Sequence, residues 1–348
     1  MKRLTNKIVK KAIWQKGALA ILFILLFLIL SACGGKAATK DELVADKNLQ
    51  KLIRTTLALS EEHKITIDDL KKLKTLKCDY CDGDLTQEQK IISLLGLEHA
   101  TNLEDLELQY NKISDITALA NLKKLSKLYL HDNDISDISV LSGLTNLKSL
   151  WILQNRITDV SALSKLINLQ HLDIAFNKIS DISSLAKLKE LHDLNLYDNK
   201  ISDISALAAL SKLQRLYIGD NIISDISALA ALSELKIAYL HANKITDISS
   251  LTGLTNLEEL SLSYNLLGKD ISAIKNLTKL RKLKLDNNYL TNIKVLETNL
   301  GLGTGDQISL ANNCLDITPG ERDMLVIKKL QGRGATVDYK PQRQNGCP

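Results

Sequence analysis

One asparagine keeps returning. Asn111, Asn133, Asn155, Asn177, Asn199, Asn221, Asn243 and Asn265 recur every 22 residues, and Asn288 follows one residue late. Asn313 comes after a further irregularity. Around each asparagine the same phrase is written: LEDLELQYNKISDITALANLKK, then LSKLYLHDNDISDISVLSGLTN, then LKSLWILQNRITDVSALSKLIN. A fixed period of this length admits few folds. One copy is too short to bury an apolar face alone, so copies must stack into a solenoid.

Each unit can be numbered from its leading leucine. Apolar residues then occupy positions 1, 4, 6, 11, 14, 17 and 20, which in the fifth unit are Leu191, Leu194, Leu196, Ile201, Ile204, Leu207 and Leu210. Positions 4 and 6 alternate with polar or aromatic neighbours, the period-two mark of a short strand. The asparagine at position 9 has an amide able to satisfy backbone groups where the chain leaves the strand, and stacked copies would form a ladder. SDISAL and TDISSL then pair a hydroxyl with an aspartate, chemistry that favours caps and tight turns over long helices. A 3₁₀-like outer arc follows. Ala238 stands where position 4 is otherwise leucine, and an extra residue near Gly268 and Lys269 predicts a small bulge on that arc.

This pattern resembles the 22-residue leucine-rich repeat, most of all that of the internalin family, over roughly residues 45–340. The resemblance implies an α/β solenoid: a curved parallel sheet of about nine to ten units, with a helical amino-terminal cap and a small carboxy-terminal cap. It also implies an extracellular binding protein, since family members are of that kind and several are adhesins. The sequence departs from the wall-anchored members. It carries no Leu-Pro-x-Thr-Gly signal, and no immunoglobulin-like domain follows the repeats.

The formal net charge is +5. Residues 1–32 hold six basic residues and no acid, which leaves 39 basic against 40 acidic residues in the remainder. A near-neutral body gives no electrostatic reason to expect nucleic acid as a partner. The six basic residues precede an apolar run from Ala18 to Leu30, too short to span a bilayer and suited to a signal peptide. Leu30-Ser31-Ala32-Cys33-Gly34 looks like a bacterial lipobox. That resemblance implies cleavage before Cys33, lipid attachment there, and a stable anchor of two or three acyl chains. Gly34 after the cysteine implies outer-membrane sorting in a double-membraned envelope. Residues 1–32 are thus read as signal, 33–45 as lipidated tether, 46–72 as helical cap, 73–317 as repeats and 318–348 as carboxy-terminal cap.

In the amino-terminal cap, Asp46 is placed to start a helix bearing Leu49, Leu52, Ile53 and Leu57. Thr66 and Asp69 have capping-box spacing before a second helix. A divergent repeat follows, with Leu73, Leu76 and Cys78 at strand positions. Cys78 and Cys81 form a single CxxC. No second pair or nearby histidine pair supports zinc, no βαβ context supports a redox site, and DYCDGD lacks the order of a calcium loop. A local disulfide and free thiols remain, the former favoured by export. At the other end, Thr318-Pro319-Gly320-Glu321 reads as a helix start with Thr318 as N-cap. Met324, Ile327 and Leu330 form its apolar side, Gly332 ends it, and ATVDY offers an edge strand. Cys314 and Cys347 bracket this cap and could staple it.

If positions 4 and 6 point inward, positions 3, 5 and 7 line the concave face. Those positions hold Tyr129, His131, Trp151, His171, Asp173, Asn195, Tyr197, Arg215, Tyr217, Tyr239 and His241. Of the eleven aromatic residues after Cys33, five fall on these rows, and Tyr110, Phe176 and Tyr264 sit one step further at the rim. Exposed aromatics among polar groups make a recognition surface, although strands also favour aromatics for their own packing. The leading expectation is a monomeric surface lipoprotein that binds a protein, or else a glycan, on this face. The alternative is a structural envelope protein that assembles with its own kind. The sequence has no nucleophile elbow, metal motif or phosphate loop, so neither an enzyme nor a cofactor is expected.

Overall fold

The computed structural model describes residues 42–78, 86, 88–268, 270–343 and 346–347. Cys33, the signal segment and most of the tether, Cys81, and the expected bulge residue Lys269 lie outside them. Met1–Glu42 separates from Leu43–Pro348, and the second unit is the one described here. No helix among the described residues is long and apolar enough to cross a membrane.

Twelve three-residue strands, among the described residues, run from β1 (Thr75–Lys77) to β12 (Thr336–Asp338) in one parallel sheet whose order is the chain order. The register follows the repeat. In β6 (Asp193–Asn195), Leu194 lies opposite Leu172 on one side and Leu216 on the other. Position 4 therefore stacks on position 4, and the same holds along the array. All seven apolar positions of the fifth unit are buried, at 0–2% exposure, and join one continuous core. Their burial is worth roughly 1.5–3 kcal/mol each. Ala238 keeps the register and is itself buried.

The outer arc is 3₁₀, as in Ser205–Ala209. It opens on an Asx turn, in which the Ser205 N–H donates to Asp203 Oδ1 at 2.8 Å. The same bond forms at Asp137, Asp159, Asp181, Asp225 and Asp247. One unit departs from this plan. Its arc is a short α-helix, Lys294–Thr298, which the repeat pattern did not predict. Here the connection is longer, and buried Asn299 donates to the carbonyls of Ile274 and Leu277, holding the extra length against the preceding arc.

The ladder is built from two residues acting together. At position 8 the backbone turns left-handed without glycine, as at Asp198 (φ 48°) and Asp220 (φ 51°). Such a conformation costs roughly 1–2 kcal/mol per residue. The following asparagine offsets it. Asn199 Nδ2 donates to the carbonyls of Ile174, Leu196 and Tyr197, and its Oδ1 accepts from the Ile179 N–H. Asn133, Asn155, Asn177, Asn221, Asn243, Asn265 and Asn288 repeat these bonds, and Asn313 adds a further rung. Asn111 begins the series by accepting from the Ile91 N–H.

Two helices close the amino-terminal end: α1 (Lys47–Thr56) and α2 (Ile67–Leu70). Asp46 caps α1 through Oδ1, while its Oδ2 accepts from the N–H groups of Ile92 and Ser93, so one carboxylate ties the cap to the first arc. In α2 the capping box forms, and Asp69, 4% exposed, also meets His63 and Lys72 at 2.8 Å each. Bonds from Lys72, His63 and Thr66 outweigh burial and hold its carboxyl well below the usual range. A depressed folded-state pKa stabilises above the unfolded value near 4, and that contribution is lost as pH falls. Asp69→Asn should therefore cost roughly 2–3 kcal/mol at pH 7 in urea melts, with a clearly smaller deficit near pH 2. An equal deficit at both pH values would contradict this.

The carboxy-terminal helix corrects the sequence reading. It runs Arg322–Gly332, with Glu321 rather than Thr318 at the N-cap and no side-chain cap bond. Asp316 occupies the Asx-turn position and takes the Thr318 N–H at 3.0 Å. Gly320, at φ +98°, then turns the chain before helix can begin. Asp323, 1% exposed, accepts from the Asp316 N–H and fastens the helix to that turn. Cys314 and Cys347 are joined, closing a 33-residue separation, which in the chain-entropy picture is worth about 3–4 kcal/mol. Cys78 is buried and disulfide-bonded.

Candidate functional site: the concave face

Every strand presents its middle residue to the core and its flanking residues to the open face, so positions 3 and 5 are held at fixed spacing by the ladder itself. Position 7 lies two residues beyond the end of each strand. All eleven candidate residues named from the sequence stand on these rows, on or just beyond β3 (Lys127–Tyr129), β4 (Ser149–Trp151), β5 (His171–Asp173), β6, β7 (Arg215–Tyr217) and β8 (Ile237–Tyr239). They do not form one patch. The structure gathers them into two aromatic groups with an ionic group between.

In the first group the Tyr129 and Trp151 rings stack, with centroids 4.7 Å apart and planes 22° apart. They are register partners on β3 and β4. The Tyr129 hydroxyl is also held by Ser149 Oγ at 3.3 Å. Trp151 keeps 41% of its surface exposed. His131 lies 6.5 Å from it and meets rim Tyr110 edge-on at 5.2 Å. Burial pushes the His131 pKa down, so its ring is neutral at pH 7.

The ionic group centres on Asp193, which meets His171 Nδ1 at 2.5 Å and Arg215 Nη2 at 2.6 Å. Its carboxylate holds the Arg215 pKa up. Asp173 lies beside this triad but outside it. Its Oδ1 accepts from the Ala175 N–H and its Oδ2 from Asn195 Nδ2 at 3.0 Å.

The second group joins Tyr217 and Tyr239 edge-to-face at 5.3 Å and Phe176 to Tyr197 at 5.1 Å. His241 reaches Tyr197 at 5.5 Å although a whole unit lies between them. Gly219 makes this reach possible: a Cβ there would sit 2.7 Å from the imidazole. Glycine at position 7 was visible in the sequence, but its value depends on a ring one whole unit further along the chain. The Tyr239 hydroxyl donates to Glu259 and accepts from Lys282, which also lies over its ring. A hydrogen bond to Asp220 pushes the Tyr197 pKa up to about 12. A concavity of about 210 Å³ opens beside this group, lined by Tyr239, His241, Ser263, Tyr264 and Asp286. Lys282 and Asp220 were not singled out from the sequence. Tyr264 at the rim is 61% exposed, whereas Ala175, Ser261 and Ser263 on the same rows are buried.

Nothing here assembles a nucleophile with a base and an oxyanion site. Among the described residues no three histidine, cysteine or acidic side chains converge as metal ligands. The arrangement offers aromatic ring faces on a regular lattice, with charges placed between them.

The chain belongs to the leucine-rich-repeat family. The family described as Leucine Rich repeats (2 copies) matches residues 101–143, 123–165, 145–187, 167–209, 189–231, 233–276 and 255–298, more than half of the chain in all. Among solved structures it is similar to an internalin (InlF) from Listeria monocytogenes, at 31% identity over 86% of this chain and 97% of that one, with a TM-score of 0.57. It is likewise similar to internalin C2 of the same organism, at 36% identity over 62% of this chain and 92% of that one, with a TM-score of 0.58. A third likeness is the leucine-rich-repeat ectodomain of the Arabidopsis thaliana receptor kinase GASSHO1/SCHENGEN3, solved with Casparian strip integrity factor 2. Identity there is 25%, over 66% of this chain and 29% of that one, with a TM-score of 0.56. Comparison with curated protein sequences returns no significant match.

Proposed function

We propose that this protein is a membrane-anchored surface lipoprotein that captures a protein partner on its concave face, in adhesion or contact with a host. The observation that carries the reading is the exposed Trp151, stacked on Tyr129 within an ordered polar and aromatic lattice. Large aromatics backed by fixed neighbours bring contact area at little entropic cost, which is how hot spots form. The internalin likeness and the plant ectodomain solved with Casparian strip integrity factor 2 support a binding role for such a face. The lipobox at Cys33 supports anchoring, and with it export and display outside the cell. A peptide surface suits the face better than a glycan, because a charged group stands between two aromatic groups along one extended line.

The test compares capture by the parent protein with capture by the Trp151→Ala, Tyr217→Ala double variant. Both side chains project from strands whose core residues are untouched, so circular dichroism should be unchanged. Affinity for the captured protein should fall at least tenfold, since hot-spot truncations cost about 2 kcal/mol or more each. Undiminished capture by a folded double variant would reject the concave face as the binding surface.

A further inference from the structure

Outward positions 3 and 5 of β2 (Asp105–Glu107) through β10 (Lys282–Lys284) carry five acids: Asp105, Glu107, Asp173, Asp193 and Glu259. Four have a cation within 4 Å. Asp105 has Lys127 at 3.8 Å, Glu107 has Lys77 at 2.8 Å, Glu259 has Lys282 at 3.6 Å, and Asp193 has both His171 and Arg215. Asp173 has none among the described residues. Its bonds come from an amide N–H and from the neutral side chain of Asn195. The nearby His131 is kept neutral by its own burial. Asp173 is half-buried, and loss of water pushes its carboxyl up, the mark of a charge that lacks compensation.

The position of this acid matters as much as its isolation. Asp173 is the register partner of Trp151 on the neighbouring strand. Tyr129 covers the indole from the other side. Along the row, then, one neighbour of Trp151 is a stacked ring and the other is a carboxylate too short to cover a ring. The Asn195 bond and the Ala175 N–H hold that carboxylate in place. We infer that Trp151 and Asp173 form the seat for an arginine side chain of the partner protein, its guanidinium stacked on the indole and paired with the carboxylate. Guanidinium suits the seat better than ammonium. It is planar, it is weakly hydrated, and it presents a fork of donors to a carboxylate while its face lies on a ring. This assignment rests on the concave face being the binding surface, and it names the chemistry that the surface selects.

The experiment uses the full chain labelled with 5-fluorotryptophan, which contains two tryptophans, Trp14 and Trp151. A Trp14→Phe variant assigns the two fluorine resonances. The probes are the peptides Ac-Gly-Arg-Gly-NH₂ and its neutral citrulline counterpart, which keeps the shape and loses the charge. The Trp151 resonance should move saturably with the arginine peptide at millimolar concentration, and affinity for the citrulline peptide should be weaker by roughly five- to tenfold. Asp173→Asn, which keeps size and hydrogen-bonding capacity, should bring the arginine peptide down to the citrulline level. Equal response to the two peptides, or no response to either, overturns the assignment. So does an Asp173→Asn protein that binds the arginine peptide undiminished. The comparison of peptides on the unaltered chain decides the matter even if the variant folds poorly. Failure here is separable from failure of the binding face. If Trp151→Ala, Tyr217→Ala abolishes partner capture while the peptides are not distinguished, the surface stands and the arginine seat falls.

Discussion

Leu196→Asp should leave a chain with no cooperative unfolding transition at 25 °C. Leu196 is fully buried at position 6 of the fifth unit, between Ile174 and Ile218 of the adjoining units, both also fully buried. Aspartate loses the apolar burial and brings a carboxylate into a core that offers it no cation. The loss of burial alone is worth roughly 2–5 kcal/mol, judged from leucine truncations in packed cores, and the buried charge adds to it. Whole domains are stable by only about 5–15 kcal/mol. Location sharpens the effect. Core contacts run between neighbouring repeats, so a failure at the middle separates two half-arrays, each with an uncovered apolar end. Leu300 provides the control. It is 81% exposed, and Leu300→Asp should change stability by less than about 0.5 kcal/mol. Urea melts followed by circular dichroism would decide. A sigmoidal transition for Leu196→Asp close to that of the parent would contradict the continuous-core picture.

Leu196 also illustrates how much was legible beforehand. The period, the inward positions and the strand register all follow from the spacing of leucines and asparagines, because a solenoid makes spatial neighbours out of residues one repeat apart. Tyr129 beside Trp151, and Trp151 beside Asp173, could be read in this way. The Asp46 cap and the Thr66–Asp69 capping box were equally legible, since their partners lie within a turn of helix. Legibility failed where a residue's role depends on something outside the period. Thr318 looks like a helix start in isolation, but Asp316 claims its N–H first. The Lys294–Thr298 helix arises in an arc of irregular length, where the repeat offers no template. On the concave face the rows and nearest neighbours were predictable, and the contacts that skip a unit were not. His241 crosses over Gly219 to Tyr197 because a missing side chain leaves room. Asp193 is bonded from both sides, by His171 and Arg215, while Asp173 meets no cation among the described residues, a difference set by which residues stand at position 3 of adjacent units.

Asn199→Ala should destabilise the protein by about 2–4 kcal/mol, the largest effect expected from removing a single polar side chain in the repeats. The amide makes four bonds at 3.0–3.3 Å, all with backbone groups. Those groups do not suffer equally. The Leu196 carbonyl also accepts from Asn221, the Ile174 carbonyl from Asn177, and the Tyr197 carbonyl from the Phe176 N–H. Each keeps one bond. The Ile179 N–H has Asn199 Oδ1 as its partner in this buried turn and is left without it. An orphaned buried donor costs about 1–3 kcal/mol, and the three weakened carbonyls add to that. The left-handed backbone at Asp198 then loses the bonds that hold it. Asn199→Asp separates the two halves of the amide. It keeps the acceptor for Ile179 but turns a charged oxygen toward three carbonyls that had been receiving donors. It should therefore be worse than alanine at pH 7, and should recover partly as acid protonates the carboxyl. Chemical denaturation of both variants at pH 7 and pH 4 reads this directly. If Asn199→Asp is the milder variant at pH 7, the acceptor bond to Ile179 outweighs the three donor bonds, and the ladder works through its oxygen alone.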